Sequence, residues 1–242
     1  MSSETTSPSG NRLGPLVEDF TKPPAPGGGE IDGDWVRLEP LSGIHVGALF
    51  DAYAGHDALW DYIPNGPHDS RDALAAWVAN VATKPDPAFY ALVTPADGRA
   101  KGQASFMRID RNSGVIEIGF IVLSAALQGS REGSAALMAM IRWAFDNGYR
   151  RVEWKCDALN APSRKAAHRL GFSFEGVFRQ HMIVKGRNRD TAWFAIVDKD
   201  WPALRDAYDT WLAPANFDPD GRQRQHLSTL TAWALPNRPA AD

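Results

Sequence analysis

Residues 117–172 alternate element types in an order that few folds accommodate. EIGFIVL (117–123) is an apolar run rich in β-branched residues, as in a buried strand. A short turn-rich stretch, Leu127 to Ser134, then opens a helix over 133–147, whose Leu137, Met138, Ile141, Ala144 and Phe145 recur at helical spacing. Gly148 stands at a plausible C′ position. A second strand, 151–157, leads to Asn160 and a helix over 161–170 that stops at Gly171. Such an order sets a helix N-terminus beside a strand end, where unpaired amides and the helix dipole attract phosphate anions.

The rest of the chain frames this segment. Residues 34–41 alternate apolar and polar positions like a half-buried strand, and Ser42 can cap a helix over 43–53. Asp69 or Ser70 can cap another over 71–83, and the intervening prolines and glycine mark a loop. Strands over 88–94, 100–110 and 115–123 read as an antiparallel meander. Strands over 172–184 and 191–197 read as a hairpin around a 185–190 loop, followed by a helix over 201–212. The pattern predicts one α/β (α+β) domain over 32–213, with a mixed, mostly antiparallel sheet of six to seven strands flanked by helices. Residues 1–31, rich in Pro, Gly and Ser, read as a flexible extension in which Leu13, Leu16, Val17 and Phe20 offer an anchor. Residues 214–242 carry Phe217, Leu227, Leu230 and Trp233, and read as an extension packed on the domain or on a second subunit, possible if the protein is a homodimer.

Composition narrows the function classes. A net charge of −3 lacks the basic footprint of a general nucleic-acid binder. The single cysteine, Cys156, excludes an internal disulfide and argues against a cysteine-rich metal site, so no metal is expected. No apolar run approaches the length of a membrane helix, and the polar N-terminus lacks a signal core. A cytoplasmic protein is the resulting expectation.

The layout resembles the GNAT superfamily of N-acetyltransferases, and within it the branch that includes the ribosomal-protein alanine acetyltransferases. The resemblance rests on EIGFIVL, LQGSREGSAAL (127–137), DALNAPSRKAAHRLGF (157–172), FEGVFRQH (174–181) and the 189–196 strand, and spans about 32–213. It implies acetyl-coenzyme A as donor, an amine as acceptor, and central strands that splay to admit the pantetheine arm. The backbone of Ile121, Val122 and Leu123 would hold that arm and polarise the thioester. The loop Gln128, Gly129, Ser130, Arg131, Glu132, Gly133, Ser134 would cradle the pyrophosphate. Relatives usually carry Gln/Arg-x-x-Gly-x-Gly/Ala here, so Arg131 replaces a glycine; it either strains the loop or contributes a charged contact. Asn160, Ser163 and Arg164 would also face the cofactor, Asn160 capping its helix at the same time.

The tyrosine that protonates the departing thiolate in many relatives is replaced by Ala167, which leaves Ser163 as the substitute. Glu117 matches a carboxylate that serves as base in some relatives; its alternative is an ion pair with Arg108. Trp60, Tyr62 and Asp190 stand where the acceptor would bind. The reading is thus an N-acetyltransferase acting on a protein N-terminus or small-molecule amine by direct attack in a ternary complex. Alternatives are a larger donor such as succinyl-coenzyme A, or a silent acyl-coenzyme A binding module.

Overall fold

The computed structural model describes residues 5–234. A small ribbon, β1 (Thr5–Thr6) with β2 (Arg12–Leu13), precedes an eight-stranded sheet. Its strands are β3 (Ile31–Gly33), β4 (Val36–Pro40), β5 (Ala88–Thr94), β6 (Arg99–Asp110), β7 (Val115–Leu123), β8 (Arg151–Asp157), β9 (Ser173–Val184) and β10 (Arg187–Val197). They lie in the order β3-β4-β5-β6-β7-β8-β10-β9, and β7–β8 is the parallel pair in an otherwise antiparallel set. The sheet exceeds the expected six to seven strands because β3 folds back on β4, in a stretch too short for periodicity to show.

Helices α1 (Val46–Tyr53) and α2 (Arg71–Val81) cover one face. The other face carries α3 (Arg131–Asp146), α4 (Ala161–Arg169), α5 (Trp201–Leu212) and the short α6 (Leu227–Leu230). Strand β5, buried throughout, serves both: Phe89, Ala91 and Val93 join the core under α1 and α2, whereas Ala88, Tyr90 and Leu92 join the core under α3. Ser70 caps α2 through the Ala73 N–H.

The β9–β10 hairpin closes more tightly than the sequence suggests. Its turn is Lys185-Gly186, both at positive φ (49° and 73°), and pairing resumes at Arg187. Asp190 therefore sits in a strand and not in a loop.

Both extensions touch the domain within the described residues. Near the N-terminus Leu13, Leu16 and Val17 are exposed, whereas Phe20 packs beside Gly114 as expected and Pro23 and Pro26 are buried. Arg111 donates to the Pro23 carbonyl at 2.6 Å, Tyr149 to that of Pro24 at 2.9 Å, and the Gly27 N–H to the Tyr90 hydroxyl at 2.8 Å. After α5, Phe217 packs edge-on against Trp211, Leu227 is fully buried, and Ser173 donates to the Ala234 carbonyl. Residues 235–242 lie outside the described residues. No described helix is long and apolar enough to cross a membrane.

Candidate active site

Strands β7 and β8 pair only where Val115, Ile116 and Glu117 face Arg151, Val152 and Glu153. Beyond that point the two strands part. The cause is local: β6 pairs with β7 as Gln103–Val122 and Ser105–Gly119, which leaves one extra residue on β7, and Phe120 takes φ 49°. Such a bulge bends its strand away from the neighbour. The opening is a cavity of about 790 Å³, reaching from Gln128 and Gly129 past Ile121–Leu123 to Ser163, Glu117 and Tyr62.

At one end lies the start of α3. The Gln128 side-chain amide donates to the Leu123 carbonyl at 3.1 Å and ties the loop to the strand. Ser130 caps the helix, accepting the Gly133 N–H at 2.9 Å, so α3 begins at Arg131, two residues before the expected start. The amides of Gly129, Arg131 and Glu132 have no acceptor among the described residues. Gly129 takes φ 66° with open space where a Cβ would be, leaving backbone accessible to a ligand. Arg131 has helical geometry, so its replacement of a glycine strains nothing. Its guanidinium lies 3.5 Å over the Trp35 ring and 3.1 Å from Glu132, which directs it away from a phosphate role.

Gly133 has a structural duty: a Cβ there would stand 2.2 Å from the Leu127 carbonyl oxygen, so it spares the loop backbone and not a ligand. The Ser134 hydroxyl donates to the Ser130 carbonyl and accepts from Arg169 at 2.7 Å. Burial lowers the pKa of Arg169, yet its guanidinium remains charged behind the helix start.

Across the cleft, Asn160 accepts the Ser163 N–H at 3.1 Å and starts α4. The Ser163 hydroxyl accepts the Trp154 indole N–H at 3.0 Å and lines the cavity. Arg164 donates to the Ala158 carbonyl at 3.3 Å. Ala167, in the slot of the missing tyrosine, is fully buried. Cys156 lines the cavity as well, and burial pushes its thiol up to about 11.

Glu117 takes the ion-paired alternative. Arg108 contacts both its oxygens, at 2.9 and 2.7 Å, and the Lys155 ammonium stands 3.0 Å from Oε2. Lys155 reaches Glu153 at 2.6 Å as well, so the carboxylate is one link in a buried network. Glu117 and Lys155 side chains are 3% and 4% exposed, which leaves little water to compete with their pairing. Arg108 arrives through its own bulge, at φ 47°, where Asp86 accepts the amides of Arg108 and Ile109.

On the acceptor side the three expected residues separate. Tyr62 lines the cavity and donates to the Leu159 carbonyl at 3.4 Å, bridging its lips. Trp60 is only 2% exposed and belongs to the core, packed edge-on against Tyr53 and His68; it braces the lip from behind and forms no wall of the cavity. Asp190 also lies off the cavity, accepting from the Gln180 N–H and the Asn188 amide, so it shapes the β9–β10 hairpin. Lys155, Met182 and Arg189, which sequence reasoning passed over, line the cavity. A signal existed for one: Arg151, Glu153, Lys155 and Asp157 alternate along a central strand, marking a polar, half-covered face.

A capped helix start with free amides, facing an unpaired strand edge across a long cleft, fits coenzyme A. Together the fold and this cleft define an acyl-coenzyme A-dependent N-acyltransferase. Residues 36–173 match the model of the Acetyltransferase (GNAT) domain, and the chain belongs to that family. A solved GCN5-related N-acetyltransferase from Brucella melitensis is 41% identical, with a TM-score of 0.86 over 89% of this chain and all of that one. Among curated relatives, the uncharacterized N-acetyltransferase p20 of Bacillus licheniformis is 27% identical over 46% of this chain and 63% of its own length. YdaF of Bacillus subtilis (strain 168), provisionally named a ribosomal N-acetyltransferase, is 27% identical over 43% of this chain and 57% of its own length. The chain thus spans less than two thirds of either curated relative.

Proposed function

We propose that this enzyme moves an acetyl group from acetyl-coenzyme A to a primary amine, by direct attack with both substrates bound. The divergence of β7 from β8 beside a capped helix start carries this reading. The donor supplies an acetyl group already activated as a thioester. The unpaired edge at Ile121, Val122 and Leu123 offers backbone amides to its arm and to the carbonyl oxygen on which charge develops. Gly129, Arg131 and Glu132 offer amides to the pyrophosphate through their backbone alone, and Arg169 adds positive charge from behind. Asn160 and Ser163 line the opposite wall, and Arg164, which donates to the Ala158 carbonyl, lies outside the lining.

Ser163 accepts from Trp154, and its hydroxyl is in reach of the Cys156 thiol. As the C–S bond breaks, Ser163 can pass its proton, directly or through one water, to the departing thiolate and regain one from the ammonium formed on the attacking amine. Glu117, committed to Arg108 and Lys155, acts by positioning those cations more than by taking a proton. The acceptor amine must therefore enter neutral, and proximity supplies much of the acceleration. Tyr62 closes the acceptor lip and limits water. A protein N-terminus fits this lip, in keeping with the name of YdaF, and so does a small amine.

Thiol release from acetyl-coenzyme A, measured with N-terminal peptides and small amines, tests the proposal. Amine-dependent release with intersecting initial-rate lines is expected. Tight donor binding without amine-dependent release would overturn it, and parallel lines would overturn direct attack.

A further inference from the structure

Arg189 is a cation of the cavity that the ion-pair network leaves over. Arg108 and Lys155 are held by Glu117, and Lys155 also by Glu153 and the Trp193 ring at 3.8 Å. Arg189, on β10, lines the same cavity, yet its Nε is sealed from solvent with no hydrogen-bond acceptor, and it has no ion-pair partner among the described residues. Asp157 acts on it from a distance, but one oxygen of that carboxylate is spent on the Leu159 N–H at 2.9 Å. A guanidinium held in this way, part-buried and unpaired, costs free energy in the empty protein that an anionic ligand would recover.

The neighbours decide which anion. Arg189 lines the cavity with Glu117, Arg108, Lys155 and Cys156, and Thr191, two residues on, pairs with Asp157 at the end of β8, which places it with the reacting centre. Arg108 and Lys155 are already matched by Glu117, so Arg189 is the cation of this cavity, among the described residues, without an ion pair, and the site suits one negative charge better than two. A planar monoanion suits the guanidinium fork, which binds a carboxylate through two parallel N–H bonds. We propose that Arg189 reads a carboxylate carried by a substrate beside the reacting centre. It belongs either to an amino-acid-like acceptor or to the far end of a dicarboxylic acyl donor. This assignment rests on the acyl-transfer reading above and narrows its substrates.

Two matched pairs of probes separate the sources in the full-length protein. Calorimetry compares succinyl-coenzyme A with acetyl-coenzyme A, and thiol release compares phenylalanine with 2-phenylethylamine, which lacks only the carboxylate. Wild type should prefer the carboxylate member of one pair by about ten- to a hundredfold. Arg189→Met should bring that ratio to within about twofold, and Arg189→Lys, which keeps the charge but not the fork, should retain part of it. If the methionine variant fails to fold, a lysine variant with the full wild-type ratio overturns the assignment. So does a wild-type protein that binds acetyl-coenzyme A but favours neither carboxylate. Failure of wild type to bind acetyl-coenzyme A at all would overturn the acyl-transfer reading and this assignment together.

Discussion

Gly133→Ala and Gly129→Ala divide the loop's structural work from its ligand work. A Cβ at residue 133 would meet the Leu127 carbonyl oxygen at 2.2 Å and the Ser130 Oγ at 3.3 Å. Carbon and carbonyl oxygen normally approach no closer than about 3.3 Å, so one side must yield by about 1 Å. The obstacle is backbone and cannot swing aside. It is also fastened, because the Ser130 hydroxyl donates to that carbonyl and accepts the Gly133 N–H, both at 2.9 Å. Losing the cap costs about 1 kcal/mol and the forced shift about 1–3 kcal/mol, together about 2–4 kcal/mol. For a chain of this size that lowers Tm by about 4–16 °C. At residue 129 a Cβ meets nothing, and left-handed strain alone costs about 1–2 kcal/mol. Gly129→Ala should therefore melt only a few degrees lower, by about 2–8 °C, but lose coenzyme A affinity, because its methyl enters the space in front of the free amides. Thermal melts without ligand, with calorimetry against coenzyme A, give both quantities. A Gly133→Ala protein melting within about 2 °C of wild type would refute the packing argument.

Further outcomes follow from the same geometry. With its pKa near 11, the Cys156 thiol is protonated at pH 8, so iodoacetamide should label it far more slowly than a small thiol; equal rates would refute its burial. That raised pKa also means its stabilising contribution is complete below the unfolded value of about 8.5 and is lost as pH rises through about 11. Glu117→Gln should lower Tm and kcat, since Arg108 and Lys155 lose their shared anion, and should keep the shape of the pH–rate profile; a vanished acidic limb would make Glu117 the base after all. His68 lies between Trp60 and Trp77, and burial lowers its pKa. Its neutral form therefore supports the fold above the unfolded pKa of about 6.5, and that support is lost as pH falls through the lower folded value. His68→Phe should lessen the fall in Tm between pH 7 and pH 5, and an unaltered pH dependence would exclude the residue as its source.

What could be read ahead of the structure was what depends on local period and capping. The bounds of β5, β7, β8 and α5 match the periodic runs, and Asn160 caps α4 as its side chain requires. The start of α3 was less legible, because Arg131 and Glu132 carry no apolar signal and only the Ser130 cap sets the boundary. Trp60 and Tyr62 show the limit more sharply. Both are aromatics of one loop two residues apart, but Trp60 turns toward Tyr53 and His68 while Tyr62 turns toward Leu159. That choice depends on partners distant in sequence. The same holds for Arg189, whose place in the cavity follows from the pairing of β10 with β8 and β9.

Two of the sheet's departures from regularity, both between β6 and β7, serve one site. Phe120 on β7 and Arg108 on β6 are left-handed residues with side chains, each costing about 1–2 kcal/mol relative to extended backbone. The bulge at Phe120 is what parts β7 from β8; a regular strand there would continue the ladder past Glu117 and close the cleft. At Arg108 the bulge frees two amides for Asp86 and brings the guanidinium onto Glu117. Without it, Lys155 would be the sole cation on this buried carboxylate. The partners of Glu117 are therefore set partly one strand away. Its ion pairing is set by a residue of the neighbouring strand, which the carboxylate's own strand does not reveal.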